Sequence, residues 1–413
     1  MISLPDSSSL VPVSREGNLY LFPSDSTELV KLDLLFEAGS FYQKHKLCAS
    51  ATAKLMTVAT QNMDTATLAE FMDFRGIICE TNSEVQQSSL TFYFLRRYAN
   101  ELLPVLCDMV CAPSFVDNDF EVWCNHRRQE IMRQEMKTTT LARRRFYEAL
   151  FGSDHPLGRY ATAHDVDLLT LDDVKAHHAN YYSRDHMAVV AAGNIEGLDL
   201  SRLISAHSSV TRCDLPTVPT PLPAQFVKGN GDGCGQHFTQ TTLRMGRILP
   251  LPWDSMDYAR FMLLTTVLGG YFGSRLMSNI REDKGYTYGI YARTQIYRGV
   301  IVFFITADIA EGKATAALDE VNRELERLRT ETIPDDELEL VKTVLAGDFL
   351  RSVDGIFERS ARFCDMLGTG VDECLTDNLR SALTDTTPAQ LQELAQRLLN
   401  PADMTVCLVG SDA

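Results

Sequence analysis

Short apolar runs separated by polar turns organise most of this chain. Residues 29–37, LVKLDLLFE, carry the apolar content of a core strand and stop at Ala38-Gly39. The segment 48–60 is rich in Ala and Thr, with Leu55 and Met56, and predicts a helix packed closely on its neighbours. A second helix is predicted over 65–74, ended by Gly76. The alternation in IICETNSEVQQSSLTFYFLRR predicts a hairpin. A long helix follows over 117–136 with Trp123 and Ile131 inward, then the loop HPLGRY at 155–160 and a helix capped at Thr170. Further on, Leu318, Val321, Leu325 and Leu328 recur at helical spacing in a helix beginning at Gly312, and another helix starts after Pro334.

The pattern repeats itself. TLDDVKAHHANYYSRDHMAVVAAGN (170–194) aligns with TPAQLQELAQRLLNPADMTVCLVGS (387–411) at a constant offset of 217. Both open on a capping box, Thr170 with Asp173 and Thr387 with Gln390, and both run into an apolar strand and a glycine. Met187 thus matches Met404, and Gly193 matches Gly410. Likewise VKLDLLFEAGS near residue 30 has a counterpart in TTLRMGRILP near 241. The chain reads as a duplication: a first domain at 1–212, a Pro-rich linker at 213–225, and a second domain at 226–413. Helices mixed with hairpins give the fold class α+β, each domain a mostly antiparallel sheet with helices packed on one face.

Composition narrows the function classes. With 45% hydrophobic residues the 413-residue chain can bury sizeable cores. A formal charge of −16 argues against nucleic acid as a partner, since that needs a basic face. No apolar run approaches a membrane span, and MISLPDSSSLVP lacks the basic and apolar regions of a signal peptide. The ten cysteines include no C-x-x-C and are expected to be reduced, buried and cytoplasmic. Cys107 and Cys111, four apart on a predicted helix, read as two core thiols.

The richest stretch is GGYFGSRLMSNIREDKGYTYGI, residues 269–290. Its glycines allow a tight turn, Ser274 offers a helix cap, Leu276 and Ile280 give the helix an apolar side, and Gly285 suits the stop. The aromatic and β-branched run beyond predicts a hairpin. Arg281 in the last helical turn and Tyr288 at the head of the strand are then placed to hold one carbonyl oxygen or oxyanion. Spacing alone favours a solvated arginine beside Glu282, Asp283 and Lys284 and an ordinary half-buried strand tyrosine, because structural charges outnumber catalytic ones.

This stretch resembles the C-terminal domain of M16-type (pitrilysin-like, inverzincin) zinc peptidases, and the similarity runs through nearly the whole chain. The resemblance implies two domains facing each other across a peptide-holding cleft. It also implies that Arg281 and Tyr288, seven apart with the intervening glycine kept, bind the substrate's scissile region. In that family zinc is held by H-x-x-E-H on a first-domain helix, with a further Glu from a later helix. Two imidazoles at i and i+4 share a helix face and one metal, and the Glu between them serves as general base. No H-x-x-E-H occurs here. Ser50, Ala53 and Lys54 stand where His, Glu and His would be, and Glu130 is a residual third-ligand position. Ala53 accepts no proton, Lys54 adds positive charge, and one carboxylate does not hold catalytic zinc.

Other sites carry less. His126 and Glu130 read as a solvated helix-face pair, His177-His178 point to different sides of a helix, and His45-x-x-Cys48 lacks partners. There is no G-x-S-x-G, and GNGDGCGQHF (229–238) lacks a P-loop lysine and reads as an interdomain loop. The resemblance therefore implies a non-catalytic subunit. It would bind no cofactor itself, pair as a heterodimer with an H-x-x-E-H-bearing subunit that holds the zinc, and contribute Arg281 and Tyr288 to peptide binding and carbonyl polarisation. A structural or peptide-binding scaffold resembling respiratory-complex core subunits is the second reading. A self-standing metallopeptidase is the third.

Overall fold

The computed structural model describes residues 4–5, 10–183, 187–204, 222–229 and 238–411. The first half contains β1 (Ser14–Glu16), β2 (Leu19–Pro23), β3 (Leu29–Phe36), α1 (Cys48–Leu55), α2 (Thr65–Phe74), β4 (Ile78–Ser83) and β5 (Ser88–Leu95). It continues through α3 (Ala99–Cys111), α4 (Asp117–Glu135), α5 (Thr138–Phe151), α6 (Ala163–Leu168), α7 (Leu171–Tyr181) and β6 (Met187–Gly193). The predicted strand, hairpin, second helix and long helix fall where the pattern placed them. The predicted helix over 48–60 is shorter: it ends at Leu55, before the β-branched Thr57 and Val58, and Gln61 N–H then bonds Ala112 O at 2.9 Å.

The second half repeats the plan with β7 (Phe226–Gly229), β8 (Gln240–Leu249), α8 (Met256–Thr265), β9 (Thr287–Tyr297), β10 (Val300–Ala310), α9 (Ala314–Thr330) and α10 (Asp335–Arg351). α11 (Ile356–Thr369), α12 (Cys374–Asp385), α13 (Pro388–Leu398) and β11 (Thr405–Gly410) complete it. The sheets run β1-β2-β6-β3-β5-β4 and β7-β11-β8-β10-β9. Each has one parallel pairing, β2 with β6 and β7 with β11, and is otherwise antiparallel. The residues equated in the sequence occupy equivalent rungs: Val30 pairs with Gly193, and Thr241 with Gly410. Both capping boxes form, Thr170 with Asp173 and Thr387 with Gln390. Of the expected linker, residues 213–221 lie outside the described residues, as do 230–237 of the glycine-rich loop, while 222–225 lead into β7.

Each half packs its own helices on one sheet face. In the first, alternate residues Val30, Leu32, Leu34 and Phe36 of β3 meet Leu68 of α2 and Leu102, Leu106 and Met109 of α3. The other face is covered by the opposite half. From α11, Phe363 and Cys364 pack on Tyr20, Phe22, Leu35, Val190 and Ala192 of the first sheet. From α5, Ala142, Phe146 and Leu150 pack on Ile248, Val302, Cys407 and Val409 of the second. The halves thus exchange equivalent helices, and neither sheet is closed without the other. Beneath α11 the Lys31 ammonium lies 2.9 Å from Asp33, whose second oxygen accepts from Thr91 at 2.7 Å. Both charges of the pair are buried, and the ammonium also donates to Ser360 Oγ of α11 at 3.4 Å.

Candidate functional site

Arg281 lies on a π-helical segment, Met277–Asp283. The wider turn is held from both sides: Asn279 Nδ2 donates to Glu320 at 3.1 Å and Glu324 at 2.8 Å on α9, and Ile290 N–H meets the Met277 sulfur at 3.4 Å. The helix stops at Gly285, whose φ of 64° is a left-handed value that glycine tolerates. Tyr286 N–H then bonds Ile280 O at 3.0 Å and ties the strand start to the helix. Two expectations change. Ser274 does not cap the helix: its buried Oγ has no hydrogen-bond partner among the described residues. Gly269 serves close approach rather than a turn, since a Cβ there would stand 2.6 Å from Ala292 N on β9.

Tyr288 lies in a β-bulge. β9 and β10 pair regularly as far as Ile290 with Ala307, and resume with Thr287 opposite Ile309. Tyr288 and Gly289 therefore oppose Asp308 alone, a break that bends the strand and re-aims a side chain. Thr287 pins it, its Oγ1 2.6 Å from Asp308 O and accepting Gly289 N–H at 3.1 Å. The phenol is left 92% exposed on an edge strand. Arg281 and Tyr288 line one open cavity of about 610 Å³, with Phe272, Glu282, Gln240 and Asp308 on its walls. The guanidinium carbon stands 4.4 Å from the Phe272 ring centre, and Nη1 is 3.7 Å from Glu282. The arginine is partly held, but keeps donors for a ligand.

The first-half positions are arranged differently. Ser50 Oγ donates to Leu47 O at 3.1 Å, Ala53 is buried, and Lys54 is exposed. Glu130 accepts from Arg127 at 2.6 Å and from Gln134 at 3.0 Å. Ser50 and Arg127 line a cavity of about 160 Å³, so a guanidinium stands beside the helix face where a metal would need anionic ligands. Among the described residues no group of three or more His, Cys, Asp or Glu is placed to hold a metal. This cavity shares no lining residue with the one at Arg281 and Tyr288.

Among the described residues the alternative histidine and cysteine candidates are engaged elsewhere or shielded. His177 Nε2 lies 3.0 Å from Ala38 O and His178 Nε2 lies 2.9 Å from Val110 O, both in contact with backbone. Burial pushes both imidazoles below their ordinary pKa. His45 lies 3.6 Å from Asp173. Burial raises the thiols of Cys48, Cys79 and Cys407 to about 11, so none is a ready thiolate.

Residues 168–345 match the family model described as the peptidase M16 inactive domain, a span that contains both Arg281 and Tyr288. The chain is 24% identical over 288 residues to the non-peptidase homolog YmxG of Helicobacter pylori, covering 69% of this chain and 65% of that protein. It is 23% identical over 319 residues to an uncharacterized zinc protease of Streptomyces coelicolor, covering 75% and 69%. Among solved structures, a peptidase M16 inactive domain from Pseudomonas fluorescens superposes with a TM-score of 0.82 at 21% identity, covering 95% of each chain. The match places an M16 inactive-type domain within residues 168–345. The chain shows the expected α+β halves, and α1 carries neither histidine nor glutamate. Sequence reasoning passed over Phe272 and the Thr287–Asp308 bulge. Phe272 gave no signal, whereas the glycine at 289 marks a strand interruption.

Proposed function

We propose that this chain is a non-catalytic subunit of an M16 zinc peptidase, working beside a second subunit that bears H-x-x-E-H and the zinc. The observation that carries this reading is the placement of Arg281 and Tyr288. They converge on an exposed cavity, away from the chain's own Ser50 helix. Tyr288 opens β9, and Tyr297, nine residues on, faces the compartment adjoining Ser50; at ~3.3 Å per residue the strand separates them by roughly 30 Å. A carbonyl held by Arg281 and Tyr288 would therefore be attacked by water activated on another chain. Arg281 supplies fixed charge and a planar fork, and Tyr288 a single O–H donor, aimed at an oxygen that gains charge in the transition state.

The Helicobacter pylori relative is named a non-peptidase homolog, which supports the same reading for this chain. Cys48, Cys79, Cys124, Cys364, Cys374 and Cys407 are thiols, which suits a reducing cytoplasm; one protein of similar fold is a periplasmic protease. No described helix is long and apolar enough to cross a membrane. The test is reconstitution with an H-x-x-E-H-bearing M16 subunit. Tyr288→Phe should lower peptide turnover of the pair by roughly 10²-fold with zinc content and melting temperature unchanged. Full activity of both Tyr288→Phe and Arg281→Ala would leave the scaffold reading in its place.

A further inference from the structure

The two halves meet over a cavity of about 500 Å³ walled by α4, α5 and the 156–161 loop on one side and by β8, β9 and β10 on the other. It adjoins the 160 Å³ space beside Ser50, sharing Arg127, Arg159 and Tyr160 with it. The charge of its lining is the reverse of the chain's. The protein carries 55 Asp and Glu against 39 Lys and Arg, yet the lining of the two spaces includes Lys46, Arg127, Arg143, Arg144, Arg159 and Arg244 and no acidic residue.

Three of these cations are balanced from outside the cavity: Arg127 by Glu130 at 2.6 Å, Arg144 by Glu135 at 2.9 Å and Lys46 by Asp165 at 3.2 Å. Among the described residues Arg143, Arg159 and Arg244 have no carboxylate within ion-pair distance. Arg244 instead stacks its guanidinium 4.0 Å from the Phe304 ring, with its Nε buried and unpartnered. Burial lowers its pKa from the ordinary value, and Arg143 adds to this as a second uncompensated cation. Arg244 is partly buried, and Arg143 and Arg159 are exposed, so an anionic ligand entering the recess meets three cations that lack carboxylate partners among the described residues.

We infer that this inter-half cleft binds an acidic segment of a peptide, its carboxylates engaging Arg143, Arg159 and Arg244. A peptide suits the layout because the cations are spread along two joined spaces rather than focused on one point. Gln134, Gln295 and Ser40 interleave them as partners for a peptide backbone. The acidic exterior opposes a long polyanion from a distance, whereas a short segment with a few carboxylates feels mainly the local field of the recess. The inference rests on the reading of the chain as a peptide-holding subunit, and it names the class of peptide held.

The test needs no partner subunit, so its outcome is separable from that of reconstitution. A fluorescein-labelled decapeptide of alternating Glu and Gly is titrated into the full chain at low salt by fluorescence anisotropy. The same measurement is made with the Gln–Gly peptide, with a dT10 oligonucleotide, and with inorganic phosphate as competitor. The Glu peptide should bind at least ~10-fold more tightly than the Gln peptide and weaken as salt rises. Arg143→Gln and Arg159→Gln, both at exposed positions, should each weaken it by ~10-fold with an unchanged melting curve. Equal binding of Glu and Gln peptides, indifference to both substitutions, tighter binding of the oligonucleotide, or displacement by phosphate at millimolar concentration would each overturn the inference.

Discussion

Arg298 Nη1 donates to Glu37 Oε1 at 2.6 Å, joining the β9–β10 turn of one half to the end of β3 in the other. The same guanidinium donates through Nε to Gly368 O at 3.0 Å and through Nη2 to Leu367 O at 3.2 Å, so it also satisfies carbonyls at the end of the exchanged helix α11. Both side chains are only 12% exposed. Arg298→Ala leaves a nearly buried carboxylate and two carbonyls without this donor and should destabilise the chain by about 3 kcal/mol. Urea unfolding measures it, and a loss below about 1 kcal/mol would class the pair with solvated surface bridges.

The exchanged helices make the halves one cooperative unit. Phe146 on α5 is fully buried against the second half's sheet. Phe146→Ala should cost about 3–5 kcal/mol and shift a single unfolding transition rather than the melting of one half. Two transitions, with only one displaced, would contradict the coupling.

Phe272 is 61% exposed, and its ring lies beneath the Arg281 guanidinium. Phe272→Ala should leave stability within about 0.5 kcal/mol, as for other surface changes. In a reconstituted pair it should lower kcat/KM by about 3–10-fold, because a stacked arginine loses roughly 1 kcal/mol of positioning. Steady-state kinetics beside a melting curve separate the two effects.

Asp165 closes the capping box at α6, accepting Thr162 N–H at 2.7 Å and the Thr162 hydroxyl at 2.8 Å, with Lys46 at 3.2 Å. Burial works against its carboxylate, but the Thr162 bonds and Lys46 outweigh it and hold the pKa below the ordinary 3.8. A depressed acid stabilises the fold above pH 3.8 and loses that contribution as pH falls through the folded value. Asp165→Ala should therefore cost about 1 kcal/mol at neutral pH, with the difference from wild type closing in acid. Urea midpoints compared at pH 7 and below pH 3.8 check the sign.

Local chemistry made much of the chain legible. Capping boxes at Thr170 and Thr387, the stop at Gly285 and the 287–310 hairpin follow from residues within a few positions of one another. The duplication was legible because both copies keep the same order of caps, apolar strands and terminal glycines. The exchanged helices were not, although Ala142, Phe146 and Leu150 recur every four residues on α5. That signal is masked by three leading threonines and three consecutive arginines, and the surface it seeks belongs to the other half. Whether Arg281 and Tyr288 share a space likewise depends on the bulge against β10: Gly289 marks an interruption, but the register that aims Tyr288 is set by the partner strand. The basic cleft gathers Lys46, Arg127, Arg143, Arg144, Arg159 and Arg244 from distant points of an acidic chain. Only the packing of one half on the other brings them together, because charge adds through space and not along the sequence.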